Sequence, residues 1–158
     1  MNILPEKICA LALGSNLGDS GAVFQKVCLL LQENGFNVQS VAPVIITEPV
    51  DCPPGTPDFA NSALIGSYSG SAEKLLDLTQ SIEQRLGRPA DHGFHTPRTC
   101  DIDIIIFGDL IMDSPRLTIP HPAAQKRVFV LEPLSAIAPD LRFPDSGLTV
   151  REALARLQ

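Results

Sequence analysis

Two carboxylates at the head of an apolar run carry the strongest chemical signal in the chain. The segment PRTCDIDIIIFG places Asp101 and Asp103 two positions apart. Residues i and i+2 of a strand point to the same face, so both carboxylates are predicted on one face. The same alternation predicts Ile102, Ile104 and Ile106 on the other face. Two like charges side by side repel, and a magnesium ion bound by both, together with substrate phosphates, would remove that repulsion.

Such a pair also suits an exposed strand end, and the neighbouring cations favour the metal site. Arg98 lies just upstream, and a guanidinium binds phosphate oxygens in a bidentate manner. The formal net charge is −6, yet five arginines fall between Arg85 and Arg127, with no lysine in that interval before Lys126. The net negative charge argues against non-specific binding of nucleic acid, and the clustered arginines favour a local polyphosphate site. For any single arginine, a solvated surface position remains the simpler interpretation.

Length and composition predict a single domain over residues 1–158. The chain has 158 residues, of which 44% are hydrophobic, enough for a sizeable core. No apolar run is long enough to cross a bilayer, and the N-terminal stretch reads as a strand rather than a signal peptide, so we expect a cytoplasmic protein. The four cysteines form no C-x-x-C pair, which favours buried free thiols.

Hydrophobic periodicity, caps and breakers predict a βαββαβ order with trailing helices. The predicted elements are a strand at 8–13, a helix at 21–34, strands at 38–50 and 59–67, a helix at 71–86, a strand through the aspartates to about 108, a short strand at Leu110 and Ile111, and helices at 129–137 and 148–157. Two proline- and glycine-rich segments, 51–58 and 88–97, are predicted to be irregular loops. This order predicts an α+β fold, a ferredoxin-like sandwich with extra C-terminal helices.

Five segments together resemble a known enzyme family. GSNLGD, PDFAN, PRTCDIDIIIFG, LTIPHP and RVFVLEPL, spread from Ile8 to about Pro144, are similar to the 6-hydroxymethyl-7,8-dihydropterin pyrophosphokinases of folate biosynthesis. The resemblance implies transfer of an intact diphosphate from ATP to the pterin hydroxymethyl group, with release of AMP. It implies two magnesium ions held by Asp101 and Asp103. It also implies a monomer whose partners are small-molecule substrates, while the net charge and the lack of a long apolar run predict no nucleic-acid and no membrane partner.

The resemblance also implies roles for individual residues. The implied catalytic groups are Asp101, Asp103, Arg88, Arg98, His121 and Arg127. The ATP-contacting positions correspond to Gln80, Glu83, Arg88, Arg98, Ile104, Arg116, Thr118, His121 and Arg127. The pterin positions correspond to Thr47, Val50, Phe59, Asn61, His95 and Phe129. Phe59 and Phe129 would stack on the ring, although both also suit a plain core, whereas Asn61 inside an apolar pattern needs a hydrogen-bond partner on any interpretation.

Several positions depart from the family pattern, most clearly in one predicted loop, and two other functions are also considered. In ADHGFHTPR, Ala90 and Phe94 stand where the family commonly has basic residues, and His95 stands at a tryptophan position. A less basic and less aromatic loop predicts weaker closure over the site. One alternative is a metal-dependent nucleotidyl transferase or cyclase, which would share the two aspartates but not the ring pocket. The other is a catalytically weakened protein that binds pterin or nucleotide.

Overall fold

The computed structural model describes residues 6–16, 19–47, 58–87 and 100–158. In chain order the elements are β1 (Lys7–Ser15), α1 (Ser20–Glu33), β2 (Asn37–Val41), β3 (Ile45–Thr47), β4 (Phe59–Tyr68), α2 (Ala72–Gly87), β5 (Cys100–Phe107), β6 (Met112–Asp113), β7 (Thr118–Ile119), a 3₁₀ turn (Ala124–Lys126), α3 (Val128–Ile137) and α4 (Val150–Ala155). No helix within these ranges is long and apolar enough to cross a membrane.

The main sheet is antiparallel, in the order β2-β4-β1-β5, and β3 also pairs with β4. The order through β5 is βαβββαβ, one strand more than the predicted βαββαβ, because the single strand predicted at 38–50 is wrong. It is two short strands, β2 and β3, separated at Pro43, a residue that has no backbone N–H for a strand ladder. The predicted strand at Leu110 and Ile111 is also displaced, because a turn at Gly108 and Asp109 delays pairing until Met112.

Local capping explains where the two long helices begin and end. The Asp19 carboxylate accepts from the backbone N–H of Ala22 and starts α1, and the Ser71 hydroxyl accepts from the backbone N–H of Lys74 and starts α2. Gly35, with φ of 91°, follows the end of α1 in a conformation that favours glycine. The helix starts and the glycine stop thus follow the sequence prediction to within one residue.

Helices cover both faces of the sheet and bury two separate cores. On one face, α1 and α2 pack on the odd-numbered residues of β1, including Leu11 and Leu13. On the other face, α3 packs on the small residues Ala10, Ala12 and Ala63, and α4 packs on α3 within the same core. Because small side chains line the second face, a helix or a flat ligand can approach the sheet backbone closely there.

A β-bulge in β5 corrects one detail of the predicted alternation. Ile104 pairs with Leu11 while Ile106 pairs with the next residue along, Ala10, so Ile105 is the extra residue on β5. Ile102 and Ile104 lie in the core under α1 and α2, as predicted, whereas Ile106 lies in the other core. The prediction for Ile106 is therefore wrong, since one extra residue reverses the direction of every later side chain.

Candidate active site

Three strands bring polar groups into one row across the sheet. Gly14 of β1 pairs with Asn61 of β4 on one side and with Asp101 of β5 on the other. Paired residues of antiparallel strands point to the same face, which here is the face covered by α3. With strands about 4.8 Å apart, the Cα atoms of the two polar residues are about 10 Å apart, with only the glycine between them. Glycine has no side chain, so this row leaves the space between Asn61 and Asp101 unfilled, and we call the row the open floor, or the Gly14 floor.

The second aspartate lies in the adjacent row on the same face. Asp103 pairs with Ala12, which belongs to the core under α3, so both carboxylates point to that face as the alternation predicts. Asp101 is exposed and Asp103 is half-buried. Successive same-face residues of a strand are about 7 Å apart, a span that divalent cations and phosphate oxygens can bridge.

Burial favours the protonated form of the Cys100 thiol, which lies next to the first aspartate. Burial, followed by the charges of Glu83 and Asp101, raises the pKa of Cys100 to about 12. Burial raises the pKa of Cys9 on the neighbouring strand to about 12 as well. Both thiols therefore stay protonated at neutral pH, and a thiolate nucleophile is excluded at these positions.

A short hydrogen-bond chain orients the amide of Asn61. The Thr47 hydroxyl donates to the carbonyl oxygen of Phe59 at 3.4 Å and accepts from Nδ2 of Asn61 at 3.0 Å. This pairing places the amide oxygen on the opposite side, where Oδ1 lies 3.8 Å from the position of a Cβ built on Gly14. The amide, 8% exposed, thus presents its oxygen and its second N–H over the open floor. The half-buried Phe59 lies two residues earlier on the same face.

A cavity of about 280 Å³ lies along the free edge of β5. β5 is the last strand of the sheet, so its outer backbone groups are not used by another long strand. The lining residues come from α2, β5, the β6–β7 turn and the segment after β7: Leu76, Ile102, Asp103, Ile104, Ser114, Pro115, Arg116, Leu117, Thr118, His121 and Pro122. Asp103 lines this cavity and also belongs to the face with the open floor, so it connects the two spaces.

His121 and Thr118 supply oriented polar groups to the cavity wall. Nδ1 of His121 accepts from the backbone N–H of Ala123 at 3.2 Å, so in the neutral imidazole Nε2 carries the proton. The backbone N–H of His121 donates to Ile105 at 3.0 Å, which fixes this residue to β5. The Thr118 hydroxyl lies 3.3 Å from a carboxylate oxygen of Asp113.

Glu83 attaches α2 to the strand that carries the aspartates. Its Oε2 accepts from the backbone N–H of Ile102 at 2.8 Å, and Ile102 stands between Asp101 and Asp103 in the chain. Alternate residues of an edge strand direct their backbone groups to the same side. The backbone N–H and carbonyl of Ile104 therefore point toward the same edge, in the cavity that Ile104 lines.

We expect Glu83→Ala to lower the free energy of unfolding by about 1–3 kcal/mol, because the Ile102 N–H loses a charged, half-buried acceptor. Urea denaturation measures the change. Gln84→Ala is the matched control, because Gln84 is exposed on the same helix, and it should stay within about 0.5 kcal/mol. Equal changes in the two variants would show that the carboxylate contributes nothing to holding β5.

The N-terminus of α3 places a cation and an aromatic ring together. Arg127 is the N-cap residue of α3, and its guanidinium carbon lies 5.6 Å from the centroid of the Phe129 ring. Phe129 is 41% exposed although its helix packs on the sheet, so its ring is available to a ligand. Both residues belong to the helix that covers the face of Asn61 and the aspartates.

Four of the predicted site residues lie outside the described ranges: Val50, Arg88, His95 and Arg98. Two features were missed at the sequence level. Gly14 lies one residue beyond the predicted end of the first strand, and its pairing with Asn61 and Asp101 could not be known before the strands are paired. Asp77 was overlooked, although it begins a polar stripe at i, i+3 and i+6 with Gln80 and Glu83.

An antiparallel sheet with an acidic edge strand, a cavity beside it and cations on the surrounding segments defines a class of mixed α/β protein suited to phosphate chemistry. A sequence model of 7,8-dihydro-6-hydroxymethylpterin-pyrophosphokinase matches residues 10–139. The chain belongs to this pyrophosphokinase family, a family of transferases of folate synthesis.

Curated relatives agree over most of the chain. The 2-amino-4-hydroxy-6-hydroxymethyldihydropteridine pyrophosphokinase of Pseudomonas aeruginosa is 39% identical over 145 residues, which are 91% of this chain and 88% of that enzyme. The Bacillus subtilis protein of the same name is 39% identical over 134 residues, 82% of this chain and 77% of that one. The folic acid synthesis protein fol1 of Schizosaccharomyces pombe is 38% identical over 152 residues, 96% of this chain but only 20% of fol1.

Solved structures share the fold. The wild-type HPPK-DHPS of Plasmodium falciparum with pteroate matches with a TM-score of 0.77 at 12% identity, over 98% of this chain and 45% of that one. The chain therefore spans less than half of this structural relative. At this identity the likeness shows the mixed α/β fold with its antiparallel sheet.

Proposed function

We propose that this chain transfers diphosphate from ATP to 6-hydroxymethyl-7,8-dihydropterin and releases AMP. One observation carries the proposal beyond family membership: Asp101 and Asp103 share one face, and Asp103 also lines the edge cavity. A nucleotide in the cavity and a flat heterocycle over the Gly14 floor would meet at these two carboxylates. The hydroxymethyl oxygen then attacks the β-phosphorus, the α–β bridging oxygen departs with AMP, and the hydroxyl proton is lost to solvent or a nearby base.

The donor set at this meeting point suits magnesium. The described residues hold no cluster of three or more His, Cys, Asp or Glu side chains that would enclose an ion. Two carboxylates with open positions fit a cation that keeps water and substrate phosphates among its ligands, and we infer two such ions. When bound, these ions neutralise charge on the phosphates and lower the pKa of the attacking hydroxyl.

The residues of the cavity bind and orient the nucleotide in this proposal. The Nε2–H of His121 and the guanidinium of Arg116 can donate to phosphate oxygens, with Arg88 and Arg98 supplying further cations. The backbone N–H and carbonyl of Ile104 can pair with the edge of a base. An ion pair 4 Å apart at an effective dielectric of about 20 is worth roughly 4 kcal/mol before desolvation, so several such contacts lower the barrier substantially.

The open floor binds the pterin in this proposal. The oxygen and free N–H of the Asn61 amide, oriented by Thr47, match a heterocycle that offers both donors and acceptors along one edge. Phe59 and Phe129 supply ring faces for stacking, and Val50 and His95 complete the set that the family resemblance implies. Gly14 leaves the space between Asn61 and Asp101 open.

Three broader assignments belong to the same proposal. The strand order β2-β4-β1-β5, with two βα crossovers, supports a ferredoxin-like sandwich with extra C-terminal helices. β1 near one end of the chain and α4 near the other contribute to one core, which supports one pyrophosphokinase domain over residues 1–158. Cys9, Cys28 and Cys100 are free thiols. Free thiols and the use of ATP as co-substrate together support a cytoplasmic enzyme. We also infer a monomer.

Nucleotide analysis after incubation with ATP, magnesium and the reduced hydroxymethylpterin tests the function. AMP formation that requires the pterin supports diphosphate transfer. Pyrophosphate as the co-product would indicate a nucleotidyl transferase. Binding of both substrates without AMP would indicate a catalytically weakened binding protein, and either of these results would overturn the proposal.

The family resemblance places Arg127 among the residues that contact ATP. We expect Arg127→Ala to lower the rate of AMP formation about 10- to 100-fold, because a hydrogen bond to a charged phosphate contributes about 1.5–3 kcal/mol. Steady-state kinetics measures the loss. Lys126→Ala is the matched control, because Lys126 is an exposed cation on the preceding residue, and it should retain nearly full activity. Equal rates in the two variants would remove Arg127 from the phosphate site.

A further inference from the structure

An acidic side chain that the proposed reaction does not use lies at the rim of the edge cavity. Asp77 of α2 accepts a hydrogen bond from Nη2 of Arg116, with Oδ1 2.6 Å from that nitrogen. The same Nη2 lies 3.5 Å from Oε1 of Gln80. Asp77 and Gln80 are one helical turn apart and present their oxygens to one side of α2. The helix therefore provides two acceptors for one guanidinium nitrogen.

The β6–β7 turn fixes the backbone at Arg116 but does not fix the side chain of Arg116. Ser114 and Leu117 exchange backbone hydrogen bonds of 3.0 and 3.3 Å across the β6–β7 turn. Arg116 itself lines the cavity, and its side chain is 53% exposed. A long side chain on a fixed backbone still samples many rotamers, and only an outside contact can select one of them.

The pair of Asp77 and Arg116 is poorly suited to stabilising the fold. The two side chains are 65% and 53% exposed, and exposed ion pairs add little to folding stability. A guanidinium has five N–H donors, and in this contact Nη2 alone is used. The remaining donors can bind an anionic oxygen in the cavity while the contact with Asp77 persists.

We propose that Asp77 is a positioning residue for the nucleotide, which acts by holding the Arg116 guanidinium at the cavity rim. The inference rests on the proposed function, because the anion that Arg116 would bind is the phosphate chain of ATP. Asp77 does not touch the nucleotide in this arrangement. It selects the side-chain conformation of Arg116 before ATP arrives, so less conformational entropy is lost on binding.

Steady-state kinetics of four variants tests this inference. We expect Asp77→Ala to raise the KM for ATP about three- to fivefold, with kcat changed less than twofold, the size of effect expected from one exposed charged contact. Asp77→Asn keeps Oδ1 as an acceptor and should recover part of the loss. In an Arg116→Ala background, Asp77→Ala should change KM no further, because the residue through which it acts is gone.

Glu73→Ala is the matched control for charge, since Glu73 is an exposed acid one turn earlier on α2. It removes the same negative charge and should leave the KM for ATP unchanged. A lower KM in Asp77→Ala would show that Asp77 competes with the nucleotide for Arg116, and an unchanged KM would show a merely solvated pair. A rise of equal size in the Arg116→Ala background would show that Asp77 acts elsewhere. Each of these results overturns the inference.

A second measurement separates this inference from the reaction itself. Calorimetric titration with magnesium and α,β-methylene ATP reports nucleotide affinity without turnover. If the unmodified protein forms no AMP, the proposed function fails. The nucleotide affinities of the same variants, measured by calorimetry, still decide whether Asp77 positions Arg116. An affinity loss in Asp77→Ala that vanishes in the Arg116→Ala background supports the inference; unchanged affinity removes it.

Discussion

Asp103→Asn should lower the rate of AMP formation by about 10²–10³-fold or more, the range that follows loss of one group stabilising transition-state charge. Asp103 is the side chain that belongs both to the face with the Gly14 floor and to the edge cavity. The amide keeps the shape of the carboxylate but loses its negative charge, so it binds divalent cations poorly. Steady-state kinetics at saturating ATP and pterin, with magnesium varied, measures the loss.

The fold should tolerate this change. Asp103 is half-buried beside a second carboxylate, so removing one of two like charges leaves the free energy of unfolding unchanged or slightly higher. Asp109→Asn is the matched control, because Asp109 is an exposed aspartate just beyond the other end of β5. Its activity should stay within twofold of the unmodified protein. Undiminished AMP formation by Asp103→Asn would remove Asp103 from the proposed metal site.

Much of the fold follows from local sequence rules such as strand alternation. The wrong prediction for Ile106 shows where these rules no longer apply. The alternation DIDI places Asp101 and Asp103 on one face because side-chain direction in a strand has a period of two. The prediction fails at Ile106, where one extra residue on β5 reverses the direction. A bulge depends on how two strands pair, and no single strand records its partner.

The candidate site likewise has a part that the sequence can predict and a part that it cannot. Single residues such as His121 and Arg127 can be proposed from the intact motifs around them, whereas the contacts that orient them cannot. The hydroxyl of Thr47 orients Asn61 from 14 residues away, and Asp77 reaches Arg116 across 39 residues. Such contacts between distant segments exist only once the sheet and α2 are packed, so a pattern read along the chain cannot show them.

Asn61→Leu should raise the KM for the pterin about 100-fold. The donors and acceptors along the pterin edge would lose their partner on Asn61 and stay without hydrogen bonds in the bound state. The amide is 8% exposed and held by Thr47, so it is oriented before the ligand arrives. Leucine has a similar volume and fits a strand. Thr47 still donates to the Phe59 carbonyl, so the stability loss should be only about 1 kcal/mol.

Ser62→Ala separates pterin recognition from the general cost of losing a buried hydrogen bond. Ser62 is the next residue on β4, points to the opposite face, and donates to the Ala42 carbonyl at 2.8 Å. We expect this variant to lose a similar amount of stability while its KM for the pterin stays unchanged. If both variants raise that KM equally, the effect comes from a weakened β4. If neither does, the pterin binds away from the Gly14 floor, because no other described amide faces that space from β4.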